Sequence, residues 1–288
     1  GVSNASVGQN SLSANTTGSG NNAVGVNALL NNTTGANVNA MGYAALQANT
    51  TGDNNNGFGN YALGSNTTGH SNTAVGRSAL YLNTTGNNNV SVGYQALDAN
   101  TTGGANVAVG SNALGANTTA ADNTGLGYGA LQVNTTGASN TAVGSGCLNN
   151  NTTGDQNIAM GRLAMQYNTT ADNNTAVGKS SLTANTTGTE NVAVGALALD
   201  ACTTGGGNVG IGVNSLGALT TGAGNTAIAN TSYYGGQTIN ISKPSTTNTI
   251  LLVNENSDAA YNAKLIIKNM CGKYYKSIKT KGTCLKSE

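Results

Sequence analysis

Two apolar positions recur every seventeen residues along this chain, and both keep their character over more than two hundred residues. The first position directly precedes a glycine and is filled by Val7, Val24, Met41, Phe58, Val75, Val92, Val109, Leu126, Val143, Met160, Val177, Val194, Ile211 and Ile228. The second lies five residues later and is filled by Leu12, Leu29, Leu46, Leu63, Leu80, Leu97, Leu114, Leu131, Leu148, Met165, Leu182, Leu199 and Leu216. No insertion or deletion interrupts either series, which is typical of a solenoid with one repeat per rung.

Polar positions repeat with the same period. The unit reads N-x-A-V-G-x-x-A-L-x-x-N-T-T-G-x-x and occurs thirteen times. Its Asn-Thr-Thr triplet begins at Asn15, Asn32, Asn49, Asn66, Asn83, Asn100, Asn117, Asn134, Asn151, Asn168 and Asn185. Cys202 and Leu219 replace the asparagine in the last two copies, while Thr-Thr-Gly persists. The pattern predicts an all-β chain: a parallel β-solenoid (β-roll) of thirteen 17-residue rungs over residues 1–228.

The apolar series suggest which side chains face the interior. We expect two strands per rung, with the valine series and the leucine series both pointing inward. Alternation along the first strand then turns its small residues outward, as a smooth surface for another chain. These residues are Ala23, Ala40, Ala74, Ala108, Ala142, Ala159, Ala176 and Ala193. Because so thin a rung buries little apolar area, we predict a homo-oligomer, most simply a trimer, joined at the alanine face.

The Asn-Thr-Thr-Gly phrase is expected to turn the chain and to stack on its copies. Stacked turns place asparagine above asparagine at about 4.8 Å, where side-chain amides can link neighbouring rungs into a ladder. Each triplet is also a formal N-glycosylation acceptor. Sugars at that spacing would collide with one another, so the sequence favours the ladder and leaves sparse glycosylation as the alternative.

Charge and composition mark a boundary near residue 228. Residues 1–228 contain three Lys or Arg and seven Asp or Glu, a net charge of −4, whereas residues 229–288 contain eight and three, a net charge of +5. The period also ends there, and QTINIS, NTILLVN and NAKLIIKN predict strands of a small β-rich capping or assembly module over residues 229–288. Cys271 and Cys284 within that module are candidates for a disulfide. Cys147 replaces an alanine of the repeat and is expected to be a small buried residue.

The motif N-T-A-V-G-x-x-A-L, as in residues 72–80 and 140–148, resembles the head repeats of trimeric autotransporter adhesins. It is also similar to repeats of bacteriophage tail fibres and of secreted bacterial surface proteins. The resemblance covers about residues 4–228, and it implies a left-handed parallel β-roll of three intertwined chains. This chain departs from the adhesin pattern in its longer unit, and it lacks a heptad stalk and a membrane-anchor barrel, so a fibre subunit or a processed surface protein is favoured.

The sequence offers little for catalysis, and we expect a protein that is not an enzyme, without catalytic, cofactor-binding or metal-binding residues. His70 is the single histidine, and the carboxylates fall in several different repeat slots. No apolar run reaches the length of a membrane span, and nucleic acid is not an expected partner. The residues that follow the rung glycine vary, and Tyr43, Tyr61, Arg77, Tyr94, Tyr128 and Arg162 form a candidate strip for a host-surface glycan or a protein.

These observations predict an extracellular, cell-surface or virion-surface structural and adhesive fibre protein. Its rigid homo-oligomeric shaft is expected to assemble head-to-tail into a filament. The first alternative is a phage or viral tail fibre with a receptor-binding tip. The second is an ice-binding protein, because paired threonines repeat at the rung spacing.

Overall fold

A computed structural model describes residues 3–228, 264–268 and 274–279. Residues 3–228 form one sheet of fourteen parallel strands that lie in sequence order, each strand paired with the next. The strands are β1 Ala5–Val7, β2 Asn22–Val24, β3 Asn39–Met41, β4 Asn56–Phe58, β5 Thr73–Val75, β6 Val90–Val92, β7 Val107–Val109, β8 Thr124–Leu126, β9 Thr141–Val143, β10 Ile158–Met160, β11 Thr175–Val177, β12 Val192–Val194, β13 Val209–Ile211 and β14 Thr226–Ile228.

Every strand pair has the same register. Ala23 pairs with Ala40 and Val24 with Met41, and each later pair keeps this offset of one repeat. Because parallel neighbours in sequence order can be joined only by a chain that returns to its starting edge, each repeat is one turn of a coil. The predicted all-β parallel β-solenoid of about thirteen 17-residue turns is confirmed.

The predicted orientation of the strands is wrong. The middle residue of each strand from β2 to β14 is buried, whereas the residue before it and the valine-series residue after it are exposed or half-exposed. Ala23 has no exposed surface, but Val24 is 40% exposed and Met41 52% exposed. The alanines therefore face the interior and the valine series faces outward, the reverse of the expectation.

Size explains this reversal. The inward slot holds only Ala, Gly or Ser, and a Cβ added at Gly57 would lie 3.1 Å from Cδ1 of Leu46 and 3.2 Å from the carbonyl oxygen of Ala62. The interior is thus closed directly behind the strand by the leucine of the preceding rung. A branched side chain cannot fit there without displacing backbone or core atoms.

The leucine series is buried as predicted, but it does not lie on a second strand. These residues adopt the left-handed conformation, for example at Leu29 with φ of 50° and Leu97 with φ of 52°. The segment is a sequence of turns, closed locally by bonds such as Ala28 N to Gly25 O at 3.3 Å. It is joined to the next rung by bonds such as Leu29 N to Ala45 O at 3.0 Å, so the described part of each rung contains one strand and not two.

The glycine after each valine-series residue turns the chain. Gly25 has φ of 136°, a region that favours glycine, and a Cβ there would contact the backbone of Gly42 one rung away. The left-handed turn is one reason for glycine at this position, and the close approach between rungs is a second.

Two further strands are described in the C-terminal part of the chain. β15 Lys264–Lys268 pairs antiparallel with β16 Tyr274–Lys279, with a register shift between Ile266 and Lys268. β15 lies within the predicted strand NAKLIIKN. The predicted strands QTINIS and NTILLVN and the candidate disulfide of Cys271 and Cys284 lie outside the described residues.

Candidate functional site

The outward residues of the sheet form a continuous apolar row. We call the row of Val7, Val24, Met41, Phe58, Val75, Val92, Val109, Leu126, Val143, Met160, Val177, Val194, Ile211 and Ile228 the valine row. The other outward position of each strand holds mainly Asn or Thr in the first rungs and Val, Ile or Thr later. None of the fourteen strands carries a charged residue. At about 4.8 Å per rung, this face is roughly 60 Å long.

The asparagines of the triplets form a ladder inside the rung, at the Asn-Thr-Thr-Gly turn. From Asn32 to Asn185 each side chain is buried, and each Nδ2 donates to Oδ1 of the asparagine one rung earlier at 2.7–3.0 Å. The same Nδ2 donates to the carbonyl oxygen at the end of its own phrase, as Asn32 does to Gly35 O at 3.0 Å. Asn15 is half-buried at the start of the ladder. Full burial leaves Nδ2 without access to a glycosyl donor, so the geometry favours the ladder over glycosylation.

A second buried ladder runs beside the first. It comprises Asn21, Asn55, Asn72, Asn89, Asn106, Asn123, Asn140, Asn157, Asn174, Asn191, Asn208 and Asn225, with Val38 in the remaining slot. Oδ1 of Asn55 accepts the backbone N–H of Asn72 at 3.0 Å, and Nδ2 of Asn72 donates to Gly86 O at 2.8 Å. This ladder was not predicted from the sequence, although its asparagine is the first residue of the repeat unit.

The two threonines of each triplet have different environments. The first is half-exposed in most rungs, and its hydroxyl donates to the carbonyl oxygen of the equivalent threonine in the next rung, as Thr33 Oγ1 does to Thr50 O at 3.0 Å. The second is exposed in all thirteen copies. These residues, the outer threonine row, are Thr17, Thr34, Thr51, Thr68, Thr85, Thr102, Thr119, Thr136, Thr153, Thr170, Thr187, Thr204 and Thr221.

Four residues of the predicted strip lie in one aromatic cluster. The rings of Tyr43 and Tyr61 meet edge-on, with centroids 5.3 Å apart, and Tyr61 meets Tyr81 in the same way at 5.9 Å. The guanidinium of Arg77 lies 5.8 Å from the ring centroid of Tyr94. We call these five residues the tyrosine cluster. Tyr81 was not predicted, because it occupies a different repeat slot from the others.

The structure leaves the other two residues of the predicted strip outside the cluster. Tyr128 is 64% exposed, in the same slot as Tyr43 and Tyr94, but on a rung whose neighbours carry serine there. Arg162 lies two rungs beyond Tyr128 and is also exposed. The strip is therefore one compact cluster and two separate side chains.

Burial perturbs several ionisable groups of the shaft. It raises the pKa of Cys147 to about 12, and it also raises the pKa of Cys202, so both thiols are protonated and unreactive. Burial likewise raises the pKa of Asp98 and of Asp200. Oδ1 of Asp200 is buried without a hydrogen-bond partner. The pKa of Tyr61 is raised by burial and by its neighbour Tyr43.

Within residues 3–228, no three His, Cys, Asp or Glu side chains are placed to hold a metal ion. His70 is exposed, and its Nδ1 lies 3.4 Å from Oγ of Ser71. Among the described residues no helix is long and apolar enough to cross a membrane. The surfaces that can recognise a partner are the valine row, the outer threonine row and the tyrosine cluster.

No protein-family model, curated protein or solved structure matches this chain at a significant level. The β-solenoid that the adhesin and tail-fibre repeats implied is present, while membership of either family stays a prediction.

Proposed function

We propose that this protein is a non-enzymatic, extracellular structural shaft that assembles with copies of itself through the valine row. The observation that carries the proposal is the row itself, apolar in all fourteen strands and exposed or half-exposed along the length of the sheet. Exposed apolar patches on monomeric proteins are normally limited to about 300–600 Å². A face roughly 60 Å long and 10 Å wide already reaches about 600 Å² and marks an interaction surface.

A second copy fits this face better than an unrelated partner does. Because every rung places an apolar residue in the same outward slot, two parallel chains present matching rows at the same spacing. The absence of charge on the fourteen strands removes both repulsion and the desolvation of ions on contact. The area approaches the roughly 800 Å² that each partner contributes to a standard interface. The predicted partner is therefore retained, but the interface moves from the alanine face to the valine row.

The interior of the rung supports a mechanical role. Adjacent rungs are joined by backbone hydrogen bonds, by two asparagine ladders and by threonine hydroxyls. A rod tied in this way along its whole length resists bending and local opening, because each rung is ordered by both neighbours. Placement outside the cell, as a surface fibre or as a tail fibre with a receptor-binding tip, is part of the proposal and rests on the sequence resemblance.

The test is the mass of the 28.4 kDa chain in solution. We expect light scattering after size exclusion to show an oligomer for the unaltered protein. The variant Val75→Lys/Val109→Lys/Val143→Lys should be monomeric with an unchanged circular dichroism spectrum. Neighbouring lysines lie two rungs apart, about 10 Å. This separation is close to the Debye length at moderate salt, so their repulsion within one chain is largely screened.

A matched control removes apolar residues elsewhere. Leu82 and Val133 are exposed on the turned segment, in a slot that Ser65 fills in another rung. Leu82→Lys/Val133→Lys should keep the oligomer. A monomeric unaltered protein at all concentrations, or a valine-row variant of unchanged mass, would overturn the proposed assembly.

End-to-end growth into a filament is the finer proposal. Cryo-electron microscopy of the concentrated protein tests it. Continuous fibres with a meridional repeat near 4.8 Å support a filament, whereas discrete rods of about 60 Å refute it.

Ice binding is a second candidate, favoured by the outer threonine row. The first threonines are used within the shaft, but the second are exposed and identical in thirteen rungs, while other exposed slots vary. We expect inhibition of ice recrystallisation to be lost on replacing Thr68, Thr85 and Thr102 by lysine. A wild-type protein without such inhibition eliminates this candidate.

A further inference from the structure

The tyrosine cluster is built by four successive rungs that fill variable slots with aromatic or basic residues. Tyr43, Tyr61 and Tyr81 come from three different repeat slots, yet their rings meet because each lies one rung beyond the last. The interplanar angles of 76° and 78° are those of edge-to-face aromatic pairs. The rings therefore hold one another in place while remaining exposed to solvent.

Gly64 contributes to this arrangement by leaving space. A Cβ at residue 64 would lie 2.9 Å from Cε2 and 3.0 Å from Cδ2 of Tyr81. The φ of Gly64 is not in the left-handed region, so the turn itself does not require glycine here. The ring of Tyr81 thus occupies the volume of the missing side chain and is fixed against the shaft.

Arg77 adds a positive charge to the cluster. Its guanidinium lies over Tyr94, and it comes from the rung that follows the rung of Tyr61. No carboxylate of the described chain forms an ion pair with it, so its donors are available to a ligand. The residues in between, the exposed Asn60 and the half-exposed Ser78, are polar.

We propose that the tyrosine cluster binds a short oligosaccharide chain of a surface glycan. The apolar C–H faces of sugar rings pack against aromatic rings, while tyrosine hydroxyls and a guanidinium exchange hydrogen bonds with sugar hydroxyls. The cluster extends over three rung steps, about 14 Å, along the shaft. That length and the exposure of the rings suit an extended chain that lies along the rod.

A peptide ligand fits the same place less well. Peptides commonly add a strand to a free sheet edge or lie in an apolar groove. The strands of these rungs, β3 to β6, are paired on both sides and offer no edge. The tyrosine cluster shares no residue with the valine row, so its sugar binding can be tested independently of the proposed assembly.

The experiment screens the full-length chain on immobilised oligosaccharides of defined structure, neutral, sialylated and sulfated, with affinities then measured for the sugars that bind. Tyr61→Ser and Tyr81→Gln are expected to weaken binding by about tenfold or more. Ser78 and Gln47 already fill these slots in other rungs, so the variants should fold. Gly64→Ala should weaken binding several-fold, although it removes no ligand-contacting group.

The control is Tyr128→Ser, which removes an exposed tyrosine outside the cluster from a slot that Ser111 fills elsewhere. It should bind like the unaltered protein. The proposal is overturned if no sugar binds, if Tyr61→Ser and Tyr81→Gln bind normally, or if Tyr128→Ser loses as much affinity as they do. Binding to a peptide array and not to sugars would also overturn it, in favour of a protein partner.

Discussion

The turn and the strand of one rung differ in which side chains they bury. At the turn, asparagine side chains are completely buried, whereas on the strand valine side chains of the same rung are exposed. The amides can be buried because stacking gives each one partners in the rung before and in its own phrase. The valines are excluded because the space behind the strand admits only Ala, Gly or Ser. At these two positions shape and hydrogen bonding decide burial, while the leucine series forms the apolar core.

Breaking the ladder in the middle of the shaft should have the largest effect. Asn100 donates to Asn83 Oδ1 at 2.8 Å and to Gly103 O at 3.0 Å, and it accepts from Asn117 Nδ2 at 3.0 Å. Asn100→Ala removes all three bonds and leaves buried polar atoms unpaired. We expect the free energy of unfolding to fall by about 3 kcal/mol, measured from urea denaturation.

The control for this variant is Asn88→Ala. Asn88 is exposed, and Ala105 fills the same slot one rung later. Asn88 has a φ of 59°, where alanine is less favourable than asparagine, so the expected change is about 1 kcal/mol. Equal losses for the two variants would show that the ladder does not stabilise the shaft beyond an exposed asparagine.

The strand face is tested by enlarging an inward residue and shortening its outward neighbour. Ala108 is fully buried, and in the same slot of the next rung a Cβ added at Gly125 would lie 3.3 Å from Cγ of Leu114. Ala108→Val should reduce the free energy of unfolding by about 1–3 kcal/mol through overpacking. Val109→Ala, measured at a concentration low enough to separate the chains, should cost less than about 1 kcal/mol. The reverse order would restore the orientation that the sequence first suggested.

The sequence predicted the period, the solenoid and the leucine core, because each rests on a repetition that only stacked rungs require. It did not predict which face of the strand is buried, because alternation separates two faces without saying which is inside. The sequence signal for the buried face was the range of side-chain sizes in each slot. The inward slot varies only among Ala, Gly and Ser, whereas the outward slot extends from Val to Phe. A narrow range of volumes marks a packed position more reliably than hydrophobicity does.

The aromatic cluster shows a different limit. The variable slots after the rung glycine led to the prediction of Tyr43, Tyr61, Arg77 and Tyr94. Tyr81 lies in another slot, directly after the leucine. Its contact with Tyr61 depends on how the turned segment folds back, through leucines in the left-handed conformation. Leucine is uncommon in that conformation, so no local sequence signal predicts the path.

Extending the asparagine ladder by substitution is expected to raise the stability of the shaft. Cys202 stands in an asparagine slot, and its Sγ lies 3.5 Å from Gly205 O, the acceptor that an asparagine would use. Cys202→Asn can also donate to Oδ1 of Asn185, and we expect a gain of about 1 kcal/mol in the free energy of unfolding. Leu219→Asn should gain more in the Cys202→Asn background than alone, because only then does an amide lie one rung earlier. A double-mutant cycle with no coupling between the two sites would contradict ladder extension.

The smallest effect is expected at Asp200, an acid in the slot that directly follows the leucine series. In this slot Asn149 donates to Gly129 O at 2.9 Å and Thr183 to Leu163 O at 3.1 Å, in each case twenty residues earlier. Asp200 occupies the same slot, cannot donate when ionised, and has a buried Oδ1 without a partner. Asp200→Asn supplies a donor for the equivalent carbonyl, and we expect a gain of about 0.5–1 kcal/mol at neutral pH.

The pH dependence of this gain distinguishes the acid from a simple packing change. Burial raises the pKa of Asp200 in the folded chain, so the protonated form is favoured there and ionisation costs stability. As the pH rises through the ordinary value of about 3.9, the unaltered protein loses stability that Asp200→Asn keeps, and the difference is complete above the folded-state pKa. Below about pH 3.9 the carboxyl is protonated in both states and can itself donate, so the two proteins should converge. Urea denaturation between acid and neutral pH measures the difference, with Asp122→Asn, at an exposed slot that Asn88 fills elsewhere, as control. A gain that is the same at every pH would assign the effect to packing, and the unpaired carboxylate would not be its cause.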